Sequence, residues 1–247
     1  MQEAGANLAV LIDGDNASAK VITALLAEIA HYGTASVKRI YGDWTQPNLS
    51  AWKAVLLEHS LQPVQQFAYT AGKNATDGAM IIDAMDLLYT NRFAGFCLVS
   101  SDSDFTRLAS RLREQGVMVY GFGERKTPRP FITACDKFVY FDVLVPPATE
   151  PTVPLQTPAK LPPKKQLIDK ALTTSLIQAV TTLSPDSEWT HLGAVGNYIA
   201  KQMPDFDPRN YGFTKMSELV DASTIFDIKR DTERQGAIYV RLRKSAP

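Results

Sequence analysis

The stretch GFCLVSSDSDFTRLASRLREQG, residues 95–116, contains the pattern that decides the fold. It starts as an apolar run that ends at Val99, and two carboxylates follow two residues apart, Asp102 and Asp104. The remainder, DFTRLASRLREQG, has the period of an amphipathic helix. Short apolar runs followed by helices are typical of parallel sheets, whose strands are buried on both faces. This segment therefore predicts one strand–helix unit of an α/β fold.

The same alternation extends over the first part of the chain. NLAVLID (7–13) predicts the first strand, and ASAKVITALLAEIAHYG (17–33) predicts the helix after it, with Gly33 as its stop. Further strands are predicted in TASVKRIYG, QPVQQFAY and VMVYGFG, further helices in LSAWKAVLLEHS and ATDGAMIIDAMDLLYTNR, and a short helix with a last strand in PRPFITACDKFVYFDVL. We therefore expect a Rossmann-like, mostly parallel sheet flanked by helices on both faces.

The proline content divides the chain into two parts. Residues 146–163 contain seven prolines in eighteen positions, which is typical of an extended linker. We therefore place two domains at 1–145 and 165–247, joined by a linker at 146–164. The second domain shows helical patterns in QLIDKALTTSLIQAVTTLS, WTHLGAVGNYIAKQMP and FTKMSELVDAS, and strand patterns in IFDIKR and AIYVRLRK. This order predicts a small α+β winged-helix domain.

The bulk composition argues against several classes of protein. Twenty-six basic and twenty-six acidic residues cancel, so the net charge indicates no particular partner. Cys97 and Cys135 form no C-x-x-C pair, and three scattered histidines complete no zinc pattern. The N-terminus lacks a signal-peptide pattern, and no apolar stretch is long enough to span a membrane. We expect a soluble cytoplasmic protein with reduced cysteines and no membrane contact.

Carboxylates gather where the predicted strands end. Asp13 and Asp15 follow the first strand, Asp102 and Asp104 follow the GFCLVS strand, and Asp77 begins a helix. Ligands of open parallel sheets bind beyond the carboxyl ends of the strands, so we expect one pocket lined by these acids. Oxygen ligands suit Mg²⁺ or Mn²⁺, and two such ions promote phosphodiester cleavage. The sequence therefore predicts a metal site at this edge.

Helix capping is the simpler alternative for some of these acids. Asp102 or Asp104 is placed to cap the helix that follows, and Asp15 with Asn16 is placed to cap the helix from 17. Capping alone does not require acids at the ends of three separate segments, which favours the metal site. Asp83 and Asp86 fall inside a helical pattern, where a solvated face is the default interpretation, although the position of Asp83 between Ile82 and Ala84 fits a surface poorly.

The loop GFGERKTPRP (121–130) leaves the sheet at the same edge and carries three cations. Arg125, Lys126 and Arg129 are candidates for contacts with backbone phosphates of a nucleic acid, which supply affinity without reading sequence. A solvated loop is the alternative.

Three motifs of the first domain together resemble the NYN domain, a LabA-like branch of the PIN-like nucleases. They are LIDGDN, KNATDGAMIIDAMDLL and LVSSDSDFTRLASRLREQGVMVYGFG, and the resemblance spans residues 7–142. It implies a metal-dependent ribonuclease with catalytic and metal-binding acids at Asp13, Asp77, Asp102 and Asp104. Asn16 matches the polar residue that closes the first motif, and we group it with the candidate RNA contacts. The chain departs from the family pattern at Ser101, where glycine is frequent, and in KNATD, where KGVD is the shorter family form.

The C-terminal region, about 167–245, resembles the OST-HTH/LOTUS domain. WTHLGAVGNYIAKQMPDFDPRNYGFTKMSELVDAS carries most of this resemblance. It implies an RNA partner, which we expect to be single-stranded, and a protein-docking role is the alternative. The candidate backbone contacts in this domain are Lys215, Lys229, Arg230, Arg234, Arg241 and Arg243.

Three functions remain open from the sequence. The first is a Mg²⁺- or Mn²⁺-dependent ribonuclease, a hydrolase in which Asp13, Asp77 and Asp102 are the main ligands and Asp104 is a second ligand or orients water. The second is a non-catalytic RNA-binding regulator with a weak or idle metal pocket, favoured by Ser101 and by the altered approach to Asp77. The third is a haloacid-dehalogenase-type phosphohydrolase, because LIDGDN has the D-x-D spacing of that class.

Overall fold

The computed structural model describes residues 5–67, 75–145, 168–184, 189–231 and 237–243. These residues divide into two compact units, one formed by residues 5–145 and the other by residues 168–243. The predicted linker at 146–164 lies outside the described residues.

Six strands form the sheet of the first unit. They are β1 Asn7–Asp13, β2 Thr34–Gly42, β3 Gln62–Gln65, β4 Gly95–Val99, β5 Met118–Gly123 and β6 Lys137–Tyr140. Their order across the sheet is β3-β2-β1-β4-β5-β6, and every neighbouring pair is parallel. The prediction of an α/β fold with a parallel sheet is therefore confirmed.

Helices surround this sheet, and two of them differ from the predictions. The helices are α1 Ile22–Ile29, α2 Ser50–Lys53, α3 Ala75–Tyr89, α4 Thr106–Glu114, α5 Arg129–Ala134 and α6 Phe141–Leu144. Before α1, Ser18 caps a 3-10 turn, so the predicted cap at Asp15 and Asn16 is wrong. We predicted a helix over LSAWKAVLLEHS (49–60), but α2 ends at Lys53, so the prediction is wrong for the residues after it. Residues 54–60 form turns there, and Leu57 is 96 % exposed, so this segment buries too little apolar surface to hold a longer helix.

Strand β4 lies in the middle of the sheet and is buried on both faces. Phe96 and Leu98 pack in one core cluster, with residues of α3, α4 and α5. Cys97 and Val99 pack in the other, with residues of α1, α2 and α6. This two-sided burial explains why the strand is a continuous apolar run. Cys97 and Cys135 are both buried and free.

The sheet changes its winding direction between β1 and β4. From β1 the chain proceeds to β2 and β3 on one side, whereas β4, β5 and β6 follow on the other side. Ile12 of β1 lies opposite Val99 of β4. The next residues, Asp13 and Ser100, therefore leave the same edge of the sheet side by side, at the position where open α/β sheets bind their ligands.

Asp83 of α3 is not on a solvated face, so that default interpretation is wrong. Its carboxylate accepts hydrogen bonds from Nη1 of Arg39 and from the hydroxyl of Tyr41, both on β2. Tyr41 is fully buried, and burial raises the pKa of its hydroxyl, with Asp83 as the next cause. The network fastens α3 to the sheet, whereas Asp86 of the same helix is exposed.

The second unit combines three helices with a small antiparallel sheet. Its elements are α7 Lys170–Leu183, β7 Thr190–His191, α8 Leu192–Gln202, α9 Met216–Ser223, β8 Phe226–Asp231 and β9 Ala237–Leu242. The sheet order is β7-β9-β8, and the helices pack against one face of it around a separate hydrophobic core. The predicted small α+β domain is confirmed. Strand β7 was not predicted, because two residues are too short to show a strand period.

Candidate functional site

Three of the four predicted acids converge at the carboxyl end of β4. Each of Asp77, Asp102 and Asp104 offers a carboxylate oxygen, and these oxygens lie within 4.8 Å of one another. Asp77 lies in the first turn of α3, and the other two follow β4. We call these three residues the acid cluster. Its oxygen-only donor set fits a hard divalent cation such as Mg²⁺ or Mn²⁺.

Asp102 also caps the turn that follows it. Its Oδ1 accepts a hydrogen bond from the backbone N–H of Asp104 at 2.9 Å, at the start of the 3-10 turn Ser103–Phe105. The capping alternative and membership of the acid cluster are therefore both true of Asp102. One Oδ1 bond orients the carboxylate and still leaves oxygen lone pairs for a cation.

Asp13 lies behind the acid cluster and is fully buried. Its Oδ2 accepts hydrogen bonds from Oγ of Ser100 and Nδ2 of Asn16, each at 2.8 Å. Its Oδ1 accepts from the backbone N–H groups of Asp15 at 3.2 Å and Asn16 at 3.3 Å. Burial raises the pKa of Asp13, and the bonds from Ser100 and Asn16 oppose that rise. Asp13 is therefore not one of the three clustered carboxylates. The side chain of Asn16, a predicted RNA contact, instead donates a hydrogen bond to Asp13.

Asp77 carries the clearest electrostatic signal of the site. The residue is 9 % exposed. Burial raises its pKa to about 6, and the nearby charges of Asp13, Asp102 and Asp104 contribute to that rise. Like charges in such a place repel one another unless a cation binds between them. A positive ion placed among these acids would therefore favour their ionised forms.

Two serines at the end of β4 connect the acids to the sheet, and neither role followed from the sequence. The hydroxyl of Ser100 donates to Asp13 and accepts from the backbone N–H of Asp102 at 3.0 Å, so it links the two acids. Ser101, the departure from the family glycine, accepts a bond from the backbone N–H of Glu124 at 2.8 Å. Its hydroxyl thus ties the end of β4 to the loop after β5.

Asp15 connects three segments at the mouth of the site. Its Oδ1 accepts a hydrogen bond from Nδ2 of Asn48 at 2.9 Å, and its Oδ2 accepts from Oγ1 of Thr76 at 3.3 Å. Thr76 directly precedes Asp77. This contact places the first turn of α3 relative to the end of β1. In the sequence, the only indication of this hydrogen bond is that a short polar residue, Thr76, precedes Asp77.

Arg125 and Lys126, two cations of the loop after β5, pair with nearby acids. Arg125 pairs with Asp142 at 2.9 Å, and its guanidinium lies 4.1 Å from the ring centroid of Tyr140. Lys126 pairs with Glu124 at 2.9 Å. Ion pairs between exposed side chains contribute little free energy, so a phosphate can compete for these cations. Their role in RNA contact remains a prediction.

The other predicted RNA contacts are spread over separate elements. Arg129 is exposed at the start of α5, Lys215 is exposed directly before α9, and Arg230 is exposed in β8. Arg234 lies outside the described residues. The roles of these cations also remain predictions.

Comparison with known proteins gives two family matches. The model of the NYN domain matches residues 7–144, and the model of the OST-HTH/LOTUS domain matches residues 163–238. Both resemblances found in the sequence are thereby confirmed. No curated protein matches the chain. Among the described helices, none is both long and apolar enough to cross a membrane.

Three solved structures are similar to parts of the chain. A protein of unknown function from Vibrio parahaemolyticus is 18 % identical with a TM-score of 0.47, over 57 % of this chain and 95 % of that one. An uncharacterized protein from Nitrosomonas europaea is 29 % identical with a TM-score of 0.31, over 40 % of this chain and 95 % of that one. A protein from Chromobacterium violaceum is 28 % identical with a TM-score of 0.27, over 34 % of this chain and 91 % of that one.

Proposed function

Because the chain belongs to the NYN domain family and carries an OST-HTH/LOTUS domain, we propose that it is a metal-dependent ribonuclease that cleaves RNA phosphodiesters. The observation that carries this proposal is the acid cluster, three carboxylates within 4.8 Å at the edge where the sheet changes its winding direction. Without a cation, ionisation of Asp77 is unfavourable, because burial raises its pKa and the charges of Asp13, Asp102 and Asp104 add to the rise.

The acid cluster would hold Mg²⁺ or Mn²⁺. When bound, such an ion supplies positive charge that stabilises the negative charge developing on phosphate oxygens. Asp77 and Asp102 are the more enclosed acids and are suited to binding the ion. Asp104 is exposed, so it is suited either to serve as a further ligand or to orient a water and accept its proton. Asp13 holds the end of β1 in place and adds negative charge behind the cluster.

The second unit would recruit the RNA. In this proposal, domains at 1–145 and 165–247 are joined by the proline-rich segment 146–164. A tether keeps a bound RNA at high effective concentration near the acid cluster. We propose single-stranded RNA as the substrate and the cytoplasm as the compartment.

A non-catalytic RNA-binding regulator is the second candidate, and one observation favours it. Four hydrogen bonds already engage the carboxylate of Asp13, so its use as a metal ligand requires some of them to be given up. The haloacid-dehalogenase-type alternative is not retained. That reaction needs an accessible nucleophile at Asp13, which is fully buried, and the family match is to the NYN domain.

Cleavage of a labelled single-stranded RNA tests the proposal. The native chain and Asp102→Asn are compared in Mg²⁺, Mn²⁺ or EDTA, and Asp86→Asn is the matched control because Asp86 is an exposed acid outside the cluster. Asparagine is also a good helix cap, so Asp102→Asn preserves the local turn. We expect cleavage that requires the metal, is lost in Asp102→Asn and persists in Asp86→Asn. RNA that stays intact under every metal while the chain still binds it would contradict the nuclease and support the regulator.

A further inference from the structure

The small sheet of the second unit has two faces of different composition. Phe226, Ile228, Val240 and Leu242 belong to the face that packs against the helices in the hydrophobic core. The alternate residues of the same strands lie on the opposite face, because successive side chains of a strand point to opposite sides. We call this opposite side the outer face. Its residues include Trp189, His191, Asp227, Lys229, Asp231, Tyr239 and Arg241.

Strand register arranges the outer face into two adjacent rows. In one row, Tyr239 lies opposite His191 of β7 and opposite Lys229 of β8. The rings of His191 and Tyr239 meet edge to face, with their centroids 5.5 Å apart. His191 and Lys229 are exposed, and Tyr239 is half-buried. This row therefore presents two rings and a cation together.

The second row repeats this chemistry. Arg241 lies opposite Asp227 and pairs with it at 3.2 Å. The guanidinium of Arg241 also lies 4.6 Å from the ring centroid of Trp189, which directly precedes β7. Arg243 pairs with the same aspartate at 3.4 Å. The two rows thus place aromatic rings and cations next to each other on one sheet surface.

Aromatic rings and cations side by side on one surface of a sheet are the chemistry that recognises unpaired bases. Bases of single-stranded RNA stack on aromatic side chains and arginine planes, and neighbouring cations contact the phosphates. The acids Asp227 and Asp231 offset two of the three cations Lys229, Arg241 and Arg243. Stacking, rather than net charge, must therefore supply most of the affinity.

We propose that the outer face binds the unstacked bases of single-stranded RNA. This inference rests on the proposed function, because it assigns the RNA-recruiting role to one surface of the second unit. It also separates two neighbours that the sequence could not tell apart. Lys229 lies on the outer face, whereas Arg230 lies opposite Ile238, on the face that packs against the helices.

The test is binding of the full chain to fluorescent RNA in EDTA, so that binding is measured without cleavage. The probes are a twelve-nucleotide oligoadenylate and an abasic ribose-phosphate chain of the same length. Tyr239→Ala should weaken oligoadenylate binding by at least about fivefold, since base–aromatic stacking contributes that much or more. Tyr239→Phe keeps the ring and should bind as the native chain does. Tyr239→Ala should leave the weaker binding of the abasic probe unchanged.

Adjacent residues of β8 supply the matched controls. Lys229→Glu changes an exposed side chain and should weaken oligoadenylate binding without affecting folding, whereas Arg230→Glu should have little effect. Equal loss in Arg230→Glu and Lys229→Glu, or unchanged oligoadenylate binding in Tyr239→Ala, would overturn the proposal. A native chain that binds neither probe would also overturn it and would favour a protein partner for this domain.

The outcome is separate from that of the nuclease proposal. If the chain cleaves RNA with Mg²⁺ or Mn²⁺ while Tyr239→Ala binds oligoadenylate normally, the surface assignment fails and the nuclease stands. If no metal supports cleavage but binding depends on Tyr239 and Lys229, the nuclease fails and the surface assignment stands.

Discussion

Replacing Asp77 by asparagine should stabilise the metal-free first unit at neutral pH. Asp77 is 9 % exposed, and burial together with the neighbouring acids raises its pKa from 3.8 to about 6. The folded chain therefore resists the ionised form of this carboxyl. Asparagine has nearly the same shape and carries no charge at any pH, so the variant avoids that penalty.

The sign and size of the effect follow from proton linkage. Because the folded-state pKa lies above the unfolded value of 3.8, the native chain has its full Asp77-linked stability below about pH 3.8 and loses it as pH rises through about 6. A tenfold difference in proton affinity between the folded and unfolded chains corresponds to about 1.4 kcal/mol. The rise of the pKa from 3.8 to about 6 is a difference of about a hundredfold, so the free-energy penalty for ionising Asp77 in the folded chain reaches about 3 kcal/mol above pH 7. The variant should gain up to that amount relative to the native chain at pH 8 and almost nothing at pH 4.

Urea unfolding in EDTA between pH 4 and pH 8 measures this difference. Carrying Trp189→Phe in every protein leaves Trp44 and Trp52 as the fluorescent reporters, both in the first unit. Mg²⁺ should then stabilise the native chain more than the variant, because cation binding relieves the same repulsion. Asp86→Asn, in an exposed part of the same helix, should show no pH-dependent gain. A variant no more stable than the native chain at pH 8 would refute the electrostatic account of the site.

Two further predictions concern contacts that support the site. Asp83→Ala removes the partner of the buried Tyr41 hydroxyl and of Arg39, and should lower the free energy of unfolding by about 2–3 kcal/mol in urea titrations; a change under about 0.5 kcal/mol would contradict the anchoring role. Thr76→Val removes one hydrogen bond to Asp15 and should raise the Mg²⁺ concentration needed for half-maximal cleavage by about two- to tenfold, with little change at saturating metal. Thr76→Ser keeps the hydroxyl and should restore the native value.

Strand β4 shows how much of the fold was readable from short segments. Five consecutive residues without a polar side chain, followed by a helical pattern, predict a strand buried on both faces, and the structure confirms this. The same reasoning failed for LSAWKAVLLEHS, where a helical pattern is present but Leu57 is left exposed to solvent. A hydrophobic period predicts a helix only where the tertiary structure supplies a surface to cover it.

The hydrogen bonds that support the acid cluster could not be predicted from the spacing of residues in the sequence. Ser100 and Asp13 are 87 positions apart, and Thr76 and Asp15 are 61 apart, yet each pair is joined by a hydrogen bond. These contacts arise from the register of β1 against β4 and from the position of α3 over the sheet. The ion pair of Arg125 with Asp142 was likewise not predictable from the sequence, because it depends on where the chain leaves β5 and β6.

The sequence by itself determined the order of most strands and helices, the two kinds of domain and the edge of the sheet at which the acids gather. These features depend on the periodicity of short segments and on the general geometry of parallel sheets, both of which are local or universal. Only the tertiary structure decided that Asp77, Asp102 and Asp104 share one cluster, that Asp13 lies buried behind it, and that Lys229 and Arg230 lie on opposite faces of a sheet. Those features depend on strand register and on distances of a few ångströms between remote segments, which no local pattern specifies.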